Sequence, residues 1–278
     1  MPLFDTLTLT FGTVGTGGFG IKNDSLGSYT SLQQCIITVF MIISGINYSF
    51  YFLIISKKFK DAFHLEEVRW YLGIILAAGL LITLNIIHLY DGIGEALKHA
   101  FFQVGSIMTT TGYSSTDFNL WPEFSKTILI ILMIIGACAG STAGGFKISR
   151  LLILLKSIKV ELSMMIHPRE IKKIRMDGHV VKPDVLRTAH VYLVIYWALF
   201  LLSILLISVD NFDFTTNFTA VAATFNNIGP GLAGVGPMSN FNSYSVFSKF
   251  VLMMGMLIGR LELYPIMLLL LPATWKRK

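Results

Sequence analysis

The chain has 278 residues, 54% hydrophobic and only 14% charged, with a mean hydropathy of +0.67. A soluble domain carries about 25% charged residues, so the composition excludes a water-soluble globule and indicates an integral membrane protein. A net charge of +6 would suit a nucleic-acid binder, yet the basic residues alternate between connections as membrane topology requires, and no nucleic-acid partner is expected.

The start, Met1-Pro2-Leu3-Phe4-Asp5, has neither the basic region nor the apolar core of a signal peptide. Residues 2–12 form an apolar segment too short to cross a hydrocarbon core of about 30 Å, which takes roughly 20 residues. It ends in the polar, Gly-rich turn Thr13-Val14-Gly15-Thr16-Gly17-Gly18-Phe19, and an uncharged run long enough to span follows at 32–56. After a basic connection at 57–69 come a span at 70–90, a second short segment at 94–108 and the turn Thr109-Thr110-Thr111-Gly112-Tyr113. A third run at 127–146 leads into the long basic connection 147–187. Beyond it lie a span at 189–209, a short segment at 214–225 and the turn Asn226-Asn227-Ile228-Gly229-Pro230-Gly231. The last run, 250–274, is interrupted by Arg260 and Glu262.

The connections 57–69 and 147–187 and the C-terminal tail hold 17 of the 22 basic residues against seven acids, which assigns them to the cytoplasm. The opposite side holds four lysines against eight acids, a surface that concentrates cations. All three Gly-rich turns fall on that outer side. The short segments before them read as half-helices that enter from outside, stop near mid-membrane and return through the turn. Their C-terminal ends then direct partial negative charge into the cavity. Exposed turn carbonyls are tolerated inside a membrane only where protein buries them or a wet cavity receives them, and rings of such carbonyls replace the hydration shell of a potassium ion. The expected fold is therefore all-α and membrane-embedded, built of repeated helix, pore half-helix, turn and helix units around a pore. Gly17 to Gly112 is 95 residues and Gly112 to Gly229 is 117.

Two further sites stand out. The stretch 136–147 would lie inside a spanning helix but holds Gly136, Gly140, Gly144 and Gly145 with Ser141 and Thr142. Each interior Gly costs a helix about 1 kcal/mol. Gly136, Gly140 and Gly144 also suit a small-residue packing face, whereas the adjacent Gly144 and Gly145 and the polar pair suit an unwound loop. Lys147 ends this stretch and either holds it or snorkels to the inner interface. Arg260 in a membrane helix costs at least about 2.5 kcal/mol unless it faces a wet cavity or a partner; Glu262, two positions on, is poorly placed to pair with it. Cys35 and Cys138 lie in apolar runs without metal-ligand spacing and read as core residues. The histidines do not cluster, and no HExxH, GxSxG or phosphate loop occurs, so no enzyme activity is expected.

These turns, with Thr116-Asp117-Phe118, the run Gly136 to Lys147, His167-Pro168-Arg169 and Gly259-Arg260-Leu261-Glu262, resemble the Trk/Ktr/HKT superfamily of potassium transporters, most closely its bacterial Trk-type membrane subunit. The resemblance covers nearly the whole chain. It implies four repeats around one pore, of which this chain supplies the turns of the second, third and fourth. The first is left to an extended or a separate chain. The corresponding divisions are 1–56 (partial second repeat), 57–157 (third repeat, with a gate loop at 136–147), 158–187 (cytoplasmic loop) and 188–278 (fourth repeat).

The resemblance further implies a selectivity filter of Val14, Gly15, Thr16 and Gly17, of Thr109, Thr110, Thr111 and Gly112, and of Asn226, Asn227, Ile228 and Gly229. Potassium-contacting oxygens then belong to Gly15, Thr16, Thr110, Thr111, Asn227 and Ile228. The gate comprises Gly140, Ser141, Thr142, Gly144, Gly145 and Lys147, with Arg260 projecting beneath the filter. Implied partners are membrane lipid, a second copy in a homodimer and a cytoplasmic nucleotide-binding regulatory ring docking on 147–187. The expected function is potassium uptake across a bacterial or archaeal inner membrane. A sodium-permeable or weakly selective transporter and a non-conducting subunit that binds a regulator remain as alternatives.

Overall fold

Almost all regular structure is helical in the computed structural model, which describes residues 1–167, 172–261, 263–270 and 272–275. The expectations that fell on Pro168, Arg169, Glu262 and the three basic residues of the tail lie outside those residues. In chain order the helices are α1 (Leu3–Val14), α2 (Ser31–Ser44), α3 (Tyr48–Ile55), α4 (Phe59–His64), α5 (Glu66–Ile86), α6 (Ile93–Met108), α7 (Glu123–Ile135), α8 (Ile148–Ile166), α9 (Pro183–Ile207), α10 (Phe214–Phe225), α11 (Val246–Arg260), α12 (Leu263–Leu270) and α13 (Pro272–Trp275). A two-stranded antiparallel hairpin, β1 (Arg175–Met176) and β2 (His179–Val180), turns through Asp177 and Gly178, both at positive φ.

The short helices α1, α6 and α10 coincide with the three segments read as half-helices, each ending where the sequence turns polar. Several helix starts are set by local chemistry. Asp213 caps α10, its carboxylate accepting from the Thr216 N–H at 3.0 Å and from the Thr216 hydroxyl. The cap also lowers the Asp213 pKa, through the Thr216 hydroxyl first and its N–H second. Pro183 occupies the first turn of α9, where a missing N–H is harmless, and Ser245 caps α11 through the Ser248 N–H at 3.2 Å.

The returning strand of each unit differs from a simple span. The run at 32–56 is two helices, α2 and α3, bent by 90°. The break lies at Gly45, where a side chain would collide with the Tyr71 hydroxyl and sit 2.8 Å from Thr109 Cγ2. Asn47 starts α3 by accepting from the Ser49 N–H at 2.8 Å. The run at 127–146 stops at Ile135, because Gly136 turns to φ +70, and helix resumes at Ile148. The run at 250–274 breaks after Arg260. Among the described residues, two helices are therefore long and apolar enough to cross a membrane alone, Glu66–Leu89 and Pro183–Asp210; the bent pair would be a third.

Close helix approach needs small residues at the contacts. Gly79 of α5 lies against the Phe101 ring of α6, and Gly105 of α6 against Ile42 of α2, where an added Cβ would meet Ile42 Cγ1 at 3.3 Å. On α2 the buried stripe is Gln34, Ile37, Thr38, Met41 and Ser44. Cys35 falls off that stripe and is exposed, contrary to its reading as a core residue, whereas Cys138 is buried.

The cap on α10 makes a testable statement. Asp213→Ala should destabilise the folded chain by about 1 kcal/mol, read as a lowered thermal unfolding midpoint in detergent. Because the folded carboxyl titrates below its ordinary value, the contribution is present above the unfolded aspartate pKa and fades as pH falls through the folded value. The wild-type and variant midpoints should therefore converge at low pH.

Candidate functional site

The three turns repeat one another atom for atom in their backbone hydrogen bonds. In the first, the N–H groups of Gly15, Thr16, Gly17 and Gly18 donate to the carbonyls of Phe11, Thr13, Gly12 and Gly12. In the second, Thr109, Thr110, Thr111 and Gly112 donate to Gly105, Ile107, Ser106 and Ser106. In the third, Asn226, Asn227, Ile228 and Gly229 donate to Ala222, Thr224, Ala223 and Ala223. Positive φ recurs in the same places, at Thr16, Thr110 and Asn227 and again at Gly18, Gly112 and Gly229. This corrects the register of the first turn by one residue: Gly18, not Gly17, is the equivalent of Gly112 and Gly229. Two adjacent glycines made the sequence ambiguous there, and the backbone resolves it, because only the second is left-handed. Residues such as Thr16 and Thr110 at positive φ cost about 1–3 kcal/mol each, strain that persists where surrounding structure over-determines it.

The turns also touch in order. A Cβ on Gly18 would overlap the Thr111 carbonyl, and a Cβ on Gly112 would overlap the Ile228 carbonyl. The same construction at Gly229 meets no atom within 4 Å. The turns thus lie along an arc, each glycine making room for a carbonyl of the next. One cavity of about 750 Å³ is lined by residues of all three turns, including Thr16, Gly112 and Asn227, and reaches Arg260. The C-termini of α1, α6 and α10 lead into the turns that line it, and the negative ends of their dipoles favour a cation there.

The hydroxyls at this site are engaged with protein. Thr16 Oγ1 donates to the Gly15 carbonyl at 2.8 Å, and Thr109 Oγ1 lies 2.7 Å from Thr111 Oγ1. Asn226 accepts from the Tyr196 hydroxyl at 3.0 Å, which ties the third turn to α9, and Asn227 Nδ2 donates to the Met256 carbonyl at 3.1 Å.

Loop 136–147 is unwound and lies against all three turns. Thr142 Oγ1 donates to the Val14 carbonyl at 3.2 Å, and the Gly144 N–H donates to Thr110 Oγ1 at 2.7 Å. A Cβ on Gly144 would sit 2.5 Å from the Asn226 carbonyl oxygen. Gly140 and Gly145 are at positive φ, and Ser141 Oγ donates to the Cys138 carbonyl. Arg260 joins loop to turn: Nη1 donates to the Thr142 carbonyl at 3.0 Å and Nη2 to the Gly15 carbonyl at 3.4 Å. Lys147 is 7% exposed and its ammonium donates to the Ala143 carbonyl, so it is held inside and does not snorkel.

Two residues at this site escaped sequence reading. Gly18 was hidden by its neighbour. Glu67, whose carboxylate accepts from the Ala139 and Ser149 N–H groups at 2.6 and 3.1 Å, looked like one more charge at a cytoplasmic helix end.

Residues 65–276 match TrkH, a family described as cation transport protein. The Trk system potassium uptake protein TrkH of Salmonella typhimurium is 34% identical over 280 residues, covering 99% of this chain and 58% of that protein. Its Escherichia coli counterpart is 33% identical over the same length. Among solved structures, the potassium transporter TrkH from Vibrio parahaemolyticus superimposes with a TM-score of 0.87 at 32% identity, over 98% of this chain and 59% of that one. The chain thus spans less than two thirds of the length of these relatives.

The corrected register separates two neighbouring glycines by experiment. Gly18→Ala forces an unfavourable φ and a carbonyl overlap and should lower stability by at least about 2 kcal/mol. Gly17→Ala, whose nearest neighbour would be the Phe19 ring at 3.6 Å, should cost less than about 1 kcal/mol. Thermal unfolding of the two variants in detergent reads the difference.

Proposed function

Because the chain belongs to the TrkH family of cation transport proteins, we propose that it forms most of a path for passive potassium uptake across the bacterial inner membrane. The observation that carries this reading is the shared cavity. Residues of three turns of one strained geometry line it, and a glycine loop and an arginine close against two of the same turns, at the Val14 and Gly15 carbonyls and the Thr110 hydroxyl. With the register corrected, the potassium-contacting carbonyls are those of Thr16 and Gly17, of Thr110 and Thr111, and of Asn227 and Ile228, joined by Gly15 toward Arg260.

In this reading, loop 136–147 is the gate. Thr142 and Gly144 hold it against the turns, Lys147 braces it from within through Ala143, and Arg260 fastens it to Gly15 while placing fixed positive charge on the ion path. A fourth turn, from an extended or a separate chain, seats beside Gly229, repeating the contact that Gly18 makes with Thr111. The complete transporter is a dimer of two such pores in lipid, with a cytoplasmic nucleotide-binding ring docked on the basic segment 147–187.

Growth of a potassium-uptake-deficient strain at limiting potassium tests the function. A version joined to the N-terminal segment of a TrkH relative should restore growth, with uptake of potassium faster than sodium. Equal uptake of the two ions, or none, would overturn the selective reading. In that joined protein Arg260→Ala removes the bridge of two charge-assisted hydrogen bonds that ties the closed loop at Thr142 to the first turn at Gly15. Each is worth about 1.5–3 kcal/mol, so maximal uptake should rise by about tenfold or more.

A further inference from the structure

Glu67 sits in the first turn of α5 and is 5% exposed. Its Oε1 accepts from the N–H of Ala139, at the entrance of the unwound loop, and from the N–H of Ser149, in the first turn of α8 at its exit. Its Oε2 accepts from Asn47 Nδ2 at 3.3 Å. Asn47 is the residue that restarts helix after the break between α2 and α3. The same junction receives two backbone bonds, from Cys138 N–H to the Gly45 carbonyl at 3.2 Å and from Tyr48 N–H to the Gly140 carbonyl at 3.0 Å. One carboxylate therefore gathers both ends of the loop and the neighbouring helix break. The N–H groups it serves have no helical partner, because they lie in an unwound loop and in the first turn of a helix. A buried carboxylate at a helix N-terminus is also favoured by the peptide dipoles.

The residue before it is tied to the cytoplasmic hairpin. The Glu66 N–H donates to Asp177 Oδ1 at 2.7 Å, and the Glu66 carboxylate pairs with Lys156 of α8. Lys156 also donates to the Arg175 carbonyl at 2.7 Å. The hairpin tip is thus one hydrogen bond from the first turn of α5, and that turn is one hydrogen bond from the loop.

We propose that Glu67 is a positioning residue that clamps loop 136–147 in its closed arrangement, and that Asp177 on the hairpin holds the clamp in place. A cytoplasmic element that displaces the hairpin then uncaps α5, shifts Glu67 and frees the loop. This deepens the gate reading above and rests on it for its effect on ion flow. The clamp itself is a statement about the loop, and it can be read without transport.

Cys138 is a native reporter, fully buried beside Ala139. In a Cys35→Ser background, labelling of Cys138 by a water-soluble maleimide is followed on the full chain in membrane vesicles open to the cytoplasmic face. Wild type should label slowly. Glu67→Ala should label at least tenfold faster and Glu67→Gln by less, since one amide oxygen can still accept. Asp177→Ala should also accelerate labelling, whereas Asp177→Asn, which keeps the acceptor oxygen and tolerates positive φ, should restore the wild-type rate. An Ala189→Cys reporter, buried in α9, should stay unlabelled; where it labels in a Glu67 variant, the Asp177 pair decides between clamp and general loosening. Unchanged Cys138 labelling in Glu67→Ala, or equal labelling in Asp177→Ala and Asp177→Asn, overturns the clamp. In the joined protein, Glu67→Ala should raise maximal potassium flux without moving its half-saturation. Faster labelling with unchanged flux would leave the clamp standing and refute the loop as a gate.

Discussion

A peptide group that leaves a helix inside a membrane must find another partner, and this requirement governs the molecule. Three helices stop short at α1, α6 and α10, and three returning helices break, so polar backbone is exposed in six places where hydrocarbon could not solvate it. The chain meets the requirement by bringing those places together. Residues of the three turns line one cavity, and the largest break, loop 136–147, is satisfied by Thr110, Arg260 and Glu67 and by the exposed backbone of α2 and α3. A water-filled path is the setting in which the remaining carbonyls can stay unpaired.

The turns show how sharply such a site is shaped. The same four-residue hydrogen-bond pattern occurs on three sequences that share little, one rich in glycine, one in threonine and one in asparagine. What they hold in common is a left-handed glycine, and at Gly18 and Gly112 its missing side chain admits the next turn's carbonyl. Geometry, not residue identity, is repeated. In the proposed path this allows carbonyls from chemically different turns to meet an ion at one level.

Much of this was legible beforehand. The half-helices were readable from apolar segments too short to span, and the turns from polar glycine runs at their ends. Arg260 stood out by the cost of its charge. What escaped was whatever depended on tertiary contact. The bend at Gly45 is marked in the sequence only by that glycine and the cap residue Asn47, and the approach of Tyr71 and Thr109 leaves no room there for a side chain. Gly17 and Gly18 are equivalent to any pattern search and differ only in φ. Glu67 carries an ordinary charge in an ordinary cytoplasmic position, and only packing shows that it is buried against the loop. Cys35 failed for the reverse reason: an apolar run in a membrane protein has an outward face as apolar as its inward one.

The central claim is that main-chain oxygens of the three turns bind a dehydrated monovalent cation. Anomalous diffraction from crystals of the complete transporter grown with thallium(I) in place of potassium tests it directly. The account predicts a peak within coordination distance of the carbonyls of Gly17, Thr111 and Ile228. A cavity without such a peak, or thallium bound only to the acidic outer surface, would contradict it.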